Sequence, residues 1–176
     1  MSALFILDGK APPFRLFLSL QKKNVMNKFF YLTMLFFALT ACQPPVYYQQ
    51  EVKFENSNWI KFNDLNFDIP VEGGKTYSFE AIITCDSNYL KRKLKIGFYA
   101  SLPSGEERLD DQEIRILDYE YHPLGIKTNG NYVIRKILKE KMLISETGIL
   151  KLEIVHHSQY LNNYGLLSFN LLVSEE

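Results

Sequence analysis

The stretch Thr76-Tyr77-Ser78-Phe79-Glu80-Ala81-Ile82-Ile83-Thr84-Cys85 decides the fold class of this chain. Apolar side chains recur in it at every second position, the period at which the side chains of a β-strand point to the same face. An amphipathic helix would instead repeat its apolar residues every three or four positions. The stretch therefore predicts a strand with one buried face, and its parity places the Cys85 thiol in the core as a small hydrophobe.

The segments on either side repeat this alternation. Short strands separated by turns such as Pro103-Ser104-Gly105, without long helical periods, predict an all-β chain folded as an antiparallel β-sandwich or jelly-roll-like domain. Trp59 is expected to be a core residue at the end of a loop. Residues 136–144 fit either a strand or a short helix. The other predicted strands cover residues 46–54, 65–69, 94–100, 114–116, 132–138, 149–155 and 166–173.

An export signal precedes this domain. Met26-Asn27-Lys28 forms a short basic region, residues 29–38 form an apolar run, and Leu39-Thr40-Ala41-Cys42 ends that run. A helix that spans a bilayer needs about 20 apolar residues, so this run has the length of a signal peptide. Leu-Thr-Ala-Cys resembles the lipobox of bacterial lipoproteins. The resemblance implies cleavage before Cys42 and attachment of lipid to its sulfur and its new amine.

The signal sets the predicted domain organisation. Residues 1–25 are interpreted as an over-extended start, residues 26–41 as a lipoprotein signal peptide, residues 42–50 as the lipidated N-terminus and tether, and residues 51–176 as the β-sandwich domain. The alternative for residues 1–25 is an extended basic region of the leader. Gln43 is not the Asp that retains proteobacterial lipoproteins at the inner membrane, and the first acid is Glu51. These features favour an outer-membrane lipoprotein whose domain faces the periplasm.

Charge argues against a nucleic-acid partner. The whole chain carries 20 basic and 20 acidic residues, but residues 42–176 carry 15 and 19, a net of about −4. An acidic, exported domain lacks the basic surface that binding to a polyanion requires. The short cluster of Lys91, Arg92, Lys93 and Lys95 is interpreted as a basic turn and strand edge.

The mature chain shows no pattern of catalytic, cofactor or metal residues. It lacks the G-x-S-x-G and H-E-x-x-H motifs and a phosphate-binding glycine loop, so we expect no enzyme activity, no cofactor and no metal. His156 and His157 would point to opposite faces of a strand, one buried and one solvated. Asp110 and Asp111 with neighbouring glutamates are interpreted as strand-edge charges. A glycosidase pair or a calcium site is the alternative.

Four tyrosines in predicted loops are the candidate binding residues. Loop tyrosines often serve recognition because each offers a large contact face with a polar tip. The alternative is that they cover the ends of the sandwich. The four residues are Tyr119, Tyr121, Tyr160 and Tyr164.

Three segments together resemble the gliding motility lipoprotein GldH family of Bacteroidota. The first is the lipobox with Val46-Tyr47-Tyr48 and Phe54-Glu55-Asn56-x-x-Trp59, followed by Asp64 and Phe67. The second is Leu102-Pro103-Ser104-Gly105 with Asp111 and Leu117-Asp118, and the third is Gly148, His156 and Tyr164-Gly165-Leu166. The resemblance implies an outer-membrane lipoprotein that supports gliding and the associated secretion apparatus.

The anchor, the missing catalytic motifs and this resemblance favour one function class. We expect a non-catalytic lipoprotein, held at the membrane through Cys42, that acts as an interaction or assembly component with an envelope protein partner. The alternative is a glycan-binding lipoprotein of the cell envelope, a role that loop tyrosines on a sandwich would permit.

Overall fold

The computed structural model describes residues 46–176, so the predicted signal peptide and the lipid-attachment residue Cys42 lie outside the described residues. The described chain is built almost entirely of strands, and a single 3₁₀ turn at Glu55–Ser57 separates the first two. In chain order the strands are β1 Val46–Lys53, β2 Asn58–Ile60, β3 Leu65–Val71, β4 Thr76–Cys85, β5 Lys93–Ser101, β6 Glu107–Arg115, β7 Ile126–Thr128, β8 Asn131–Leu143, β9 Gly148–His156, β10 Asn162–Tyr164 and β11 Leu166–Glu175.

The strands form two large antiparallel sheets. One sheet has the order β1-β11-β4-β8-β7 and the other the order β3-β9-β5-β6, while β10 and β2 pair as a small separate ribbon. The eight long strands, four in each large sheet, have the strand order of a jelly roll. The prediction of an antiparallel β-sandwich is therefore confirmed. Residues 46–176 contain no helix long and apolar enough to cross a membrane.

The core lies between the two sheets and follows the period-two pattern of the sequence. Along β4 every second side chain is buried, from Tyr77 to Cys85, each at 1% exposure or less. Aromatic pairs join the sheets, with the rings of Phe79 and Phe98 edge to face at 5.5 Å and those of Phe67 and Phe169 at 6.2 Å. Burying each such side chain contributes about 1.5–3 kcal/mol, so these pairs hold the layers together.

Two buried side chains were expected from the sequence. Cys85 is a free, buried thiol, and burial raises its pKa to about 11, so the expectation of a core thiol is confirmed. Trp59 is fully buried near the sandwich end, where it stacks on Phe54 at 5.0 Å. Its indole N–H donates to the carbonyl of Asn63 at 2.8 Å. The expectation that Trp59 is a loop-end core residue is likewise confirmed.

The helical alternative for residues 136–144 is wrong, because β8 runs through them as a 13-residue strand. Its buried residues Ile134, Leu138 and Met142 recur every four positions, which imitates a helical period. Lys136 lies opposite Ala81 but is only half-buried, and between Ile137 and Met142 two register shifts against β4 place two extra residues in β8. Pairing with β4 satisfies backbone groups that a helix would have left unpaired on that strand.

The connections differ in length between the two ends of the sandwich. At one end, the loop end, lie the long segments 54–64, 86–92, 116–130 and 157–165. At the other, the turn end, lie the short turns 72–75, 102–106 and 144–147. Strand β1 enters at the turn end, where Val46 pairs with Ser174 near the C-terminus. The first strand thus includes residues 46–50, which the sequence division assigned to the tether.

Candidate functional site

All four sequence-predicted tyrosines lie at the loop end with their side chains in solvent. Tyr119, Tyr121, Tyr160 and Tyr164 are 78%, 62%, 55% and 61% exposed. None of them belongs to the core, so they do not cover the end of the sandwich as buried plugs. Their function remains a proposal, and their surroundings separate them into one pair and two single residues.

Tyr119 rests on Arg92. The guanidinium carbon lies 4.2 Å from the ring centroid, and the Arg92 Nε donates to the carbonyl of Asp118 at 3.1 Å. The Asp118 carboxylate accepts backbone N–H groups from Glu120 and His122, at 2.8 and 2.9 Å. These bonds hold the pKa of Asp118 below its usual value and close the turn that carries Tyr119. Arg92 thereby holds the exposed Tyr119 ring against the turn.

Tyr160 rests on Lys91, the residue that precedes Arg92 in the chain. The ammonium lies 4.6 Å from the ring centroid and donates to the carbonyl of Asn162 at 3.1 Å and to the side-chain oxygen of Asn163. Partial burial lowers the pKa of Lys91. Two consecutive cations therefore each hold one tyrosine, although the two tyrosines lie 41 positions apart in the sequence.

A buried polar network supports the Tyr160 loop from below. The Asn163 N–H donates to the Asn58 side chain at 2.8 Å, and the Asn163 amide donates to the carbonyl of Trp59 at 3.2 Å. The same amide lies 3.3 Å from Nδ1 of His156, whose pKa is lowered mainly by burial. Because Asn163 is fully buried, each of these bonds compensates a desolvated group and pins the loop to β2.

The other two tyrosines do not join this pair. Tyr164 pairs in register with Asn58 on the small ribbon and lines a different groove, beside Ile60 and Lys53. Tyr121 projects from the tip of the turn with a positive φ of 65°. The structure therefore places the candidates at one end of the molecule and seats only Tyr119 and Tyr160 on adjacent cations, Arg92 and Lys91.

The basic cluster forms part of this surface, and its assignment to a strand edge is wrong. Strand β5 lies inside its sheet, between β9 and β6. Lys93 and Lys95 alternate onto its solvent face, beside Arg115 of β6. They line an open groove of about 340 Å³, which extends to His157, Tyr160 and Asn163. The shared parity of residues 91, 93 and 95 was the signal in the sequence that pointed to this face.

Few carboxylates neutralise these cations. Lys93 pairs with Glu113 at 2.6 Å, with both side chains partly exposed. Within residues 46–176, Lys91, Arg92, Lys95 and Arg115 form no ion pair, since the pairs found there involve other cations. The groove therefore presents local positive charge on a domain whose overall charge is negative.

The two adjacent histidines separate as expected, with His156 buried and His157 exposed. On the outer sheet face, His157 Nε2 lies 2.9 Å from the Tyr99 hydroxyl and Nδ1 lies 3.4 Å from the Asp111 carboxylate. Tyr99 reaches His157 by lying across Gly97, where a Cβ would stand 2.6 Å from the ring. This phenol–imidazole–carboxylate chain borders the basic groove, and its pattern was not recognised in the sequence.

The acidic run occupies an edge strand, as expected. Asp110 and Asp111 lie on β6, the last strand of the four-stranded sheet, with Lys139 3.6 Å from Asp110. Among residues 46–176 no group of three His, Cys, Asp or Glu side chains gathers to hold a metal ion. Charges of this kind protect an exposed strand edge against pairing with another chain.

Exposed apolar side chains concentrate at the same loop end. Of the sixteen large apolar side chains that are exposed in residues 46–176, ten belong to its segments or to the short strands β2, β7 and β10 beside them. The most exposed is Phe62, at 80%. The ten are Ile60, Phe62, Leu90, Tyr119, Tyr121, Leu124, Ile126, Tyr160, Leu161 and Tyr164.

No protein-family model and no curated protein matches the chain. Among solved structures, it is similar to tripeptidyl peptidase 2, with 15% identity and a TM-score of 0.40, over 74% of this chain and only 10% of that one. It is similar to a carbohydrate-binding module, CBM28, specific for non-crystalline cellulose, with 11% identity, a TM-score of 0.39, and coverage of 72% and 71%. It is also similar to the sugar-binding EclA C-terminal domain, with 12% identity and a TM-score of 0.34, over 78% of this chain and 83% of that one. Identities and TM-scores this low carry no information about ligand or activity.

Proposed function

We propose that this protein is a lipid-anchored, non-catalytic lipoprotein of the outer membrane that binds an envelope protein partner through its loop end. The observation that carries the proposal is the concentration of exposed apolar side chains there. Contiguous exposed apolar surface is unfavourable in water, and on soluble domains it marks interaction sites. Tyrosines held by cations, as Tyr119 and Tyr160 are, are typical anchors of protein interfaces.

The topology supports this orientation toward a partner. Only residues 43–45 separate Cys42 from Val46, and the four residue-to-residue steps span at most about 14 Å, so a lipid on Cys42 would hold the turn end near the membrane. The loop end would lie roughly 30 Å farther out, the length of the ten-residue strand β4. Anchoring also raises the effective concentration of the domain for a partner in the same membrane, so a modest interface suffices. The resemblance to gliding motility lipoproteins agrees with such an assembly role.

Site-specific photo-crosslinking in the native envelope tests the proposal. The full-length protein would carry a photo-crosslinking amino acid in place of Tyr119 or Tyr160, or in place of Leu143 as a turn-end control with 56% exposure. We expect one discrete protein adduct from the two loop-end positions and none from position 143. Equal adduct patterns at all three positions would contradict a loop-end interface.

Glycan binding is the second candidate, and the Tyr99–His157–Asp111 chain favours it. An aromatic ring beside polar groups on an open sheet face has the chemistry that sugar rings require, with apolar contact and hydrogen bonds together. Binding of soluble neutral polysaccharides that Tyr99→Ala abolishes, with no protein adduct from position 119, would favour this candidate over the first.

A further inference from the structure

The cations at one groove of the loop end outnumber the acids beside it. Glu113 is the register partner of Lys95 and forms an ion pair with Lys93. The groove is lined by Lys91, Lys93 and Lys95, and Arg115 is the register partner of Lys93 across the strand pair. Of these four, only Lys93 forms an ion pair within residues 46–176. Exposed cations without partners attract an anionic ligand, because the like charges repel one another until an anion approaches.

Charge is distributed unevenly along the molecule. The turn end and the strand ends beside it carry more glutamates than cations, with six glutamates and three cations in and beside its turns. These residues are Glu72, Lys75, Glu106, Glu107, Arg108, Lys141, Glu146, Glu175 and Glu176. The loop segments themselves carry five acids and four cations, so the positive charge is local to the groove, and an approaching anion is steered there.

The exposed apolar side chains of the loop end distinguish between two kinds of anion. Leu90, Leu161 and Phe62 are 72%, 57% and 80% exposed at the same end. An acidic polysaccharide has no large aliphatic side chains to cover them, whereas a polypeptide that mixes acidic and apolar residues does. Combined charge and apolar complementarity therefore favours a polypeptide.

From these observations we infer that the groove lined by Lys91, Lys93 and Lys95, with Arg115 beside it, docks an acidic segment of the protein partner. Apolar residues of that segment would pack on the exposed leucines and tyrosines of the loop end. This inference rests on the proposed function and deepens it, because it specifies the chemistry of the partner. Lys91 would serve mainly to hold Tyr160, and Lys95 and Arg115 would contact the partner's carboxylates.

Peptide binding to the full-length lipidated protein in detergent tests the inference. The probes are a labelled twelve-residue peptide of alternating Glu and Leu, the same peptide with Gln in place of Glu, and labelled heparin. We expect the Glu peptide to bind at least tenfold more tightly than the Gln peptide, and its affinity to fall severalfold between 30 and 300 mM salt because salt screens exposed charges.

Variants locate the binding. Lys95→Gln and Arg115→Gln should each weaken binding of the Glu peptide by about twofold to fivefold, the range for one exposed charge pair. Lys151→Gln is the matched control, because Lys151 is an exposed lysine of the same sheet that lies six positions before His157, roughly 20 Å along the strand. It should leave binding unchanged. Thermal unfolding shows whether each variant is folded. If one of Lys95→Gln and Arg115→Gln fails to fold, the other alone tests the inference.

The outcomes separate this inference from the function on which it rests. Equal binding of the Glu and Gln peptides, or equal effects of Lys95→Gln and Lys151→Gln, would overturn the acidic-segment inference. If the protein binds heparin but not the Glu peptide, the inference is overturned in favour of a polysaccharide ligand. If the crosslinked adduct at position 119 persists in the Lys95→Gln/Arg115→Gln double variant, the protein-partner role stands without the acidic segment. If wild type gives no adduct specific to the loop end, the proposed function itself fails.

Discussion

Gly165 is the position at which a single methyl group should disturb the loop end most. It has a φ of +89°, and a Cβ built on it would stand 2.4 Å from the backbone nitrogen of Tyr89 and 2.7 Å from its Cα. Its N–H donates to the carbonyl of Ser57 at 2.8 Å, and its carbonyl accepts from Asp86 at 2.9 Å. Three loops therefore meet at Gly165. Neither the Gly165 backbone nor the Tyr89 backbone can move away without disturbing the hydrogen bonds to Ser57 and Asp86.

The expected cost of Gly165→Ala has two parts. Placing an L-residue in the left-handed region costs about 1–2 kcal/mol. Overlap with backbone that cannot retreat adds about 1–3 kcal/mol, the usual range for overpacking. A total near 3 kcal/mol is a large share of the roughly 5–15 kcal/mol that stabilises a typical domain. Gly105→Ala is the matched control, since Gly105 has a φ of +83° with nothing within 4 Å, and it should lose only the first part.

Urea unfolding followed by fluorescence measures this difference. Trp59 is the only tryptophan of the chain and is fully buried beside the loops, so its emission reports on this end directly. With a denaturant slope of about 2 kcal/mol per molar, Gly165→Ala should lower the midpoint by roughly 1 M more than Gly105→Ala does. If both variants unfold at the same urea concentration, the contact with Tyr89 does not constrain the loop end as described.

Four further predictions concern the anchor, the core and the site. Radiolabelled fatty acid should label the wild type and not Cys42→Ala, and equal labelling would disprove lipidation at that residue. Cys85 should react with a thiol reagent only on unfolding, because it is 1% exposed and its pKa is raised to about 11; fast labelling of native protein would contradict its burial. Since burial lowers the pKa of His156, the unfolded chain binds the proton more readily, and stability should fall as pH drops through about 6.5; in pH-dependent unfolding His156→Gln should flatten this slope, and an unchanged slope would contradict it. Tyr119→Ala and Tyr160→Ala should reduce recovery of the crosslinked partner severalfold while changing the unfolding free energy by less than about 1 kcal/mol, because exposed side chains contribute little to stability; a large loss of stability would make them structural.

Local patterns in the sequence were sufficient for the fold class. The alternation in β3, β4 and β5 is a property of each strand alone, since a side chain two positions away shares its face whatever the strand pairs with. The same period predicted the buried Cys85 and the opposite faces of His156 and His157, and all three are confirmed. The export signal and Cys42 depend on consecutive residues, and they stay predictions because they lie outside the described residues.

Only the tertiary structure decided what depends on distant partners. The Lys, Glu, Leu and Met content of residues 136–144 also suits a short helix, and only pairing with β4 makes residues 136–143 part of a strand. The interior position of β5, which turned an assumed strand edge into a basic face, follows from the order of strands in the sheet. The sequence indicated that Tyr119 and Tyr160 are loop tyrosines. Nothing near either residue indicated that Arg92 would contact Tyr119 or that Lys91 would contact Tyr160. A sequence records the period of a strand locally, whereas sheet order and loop contacts are set by which distant surfaces bury each other, and that is decided only when the whole chain folds.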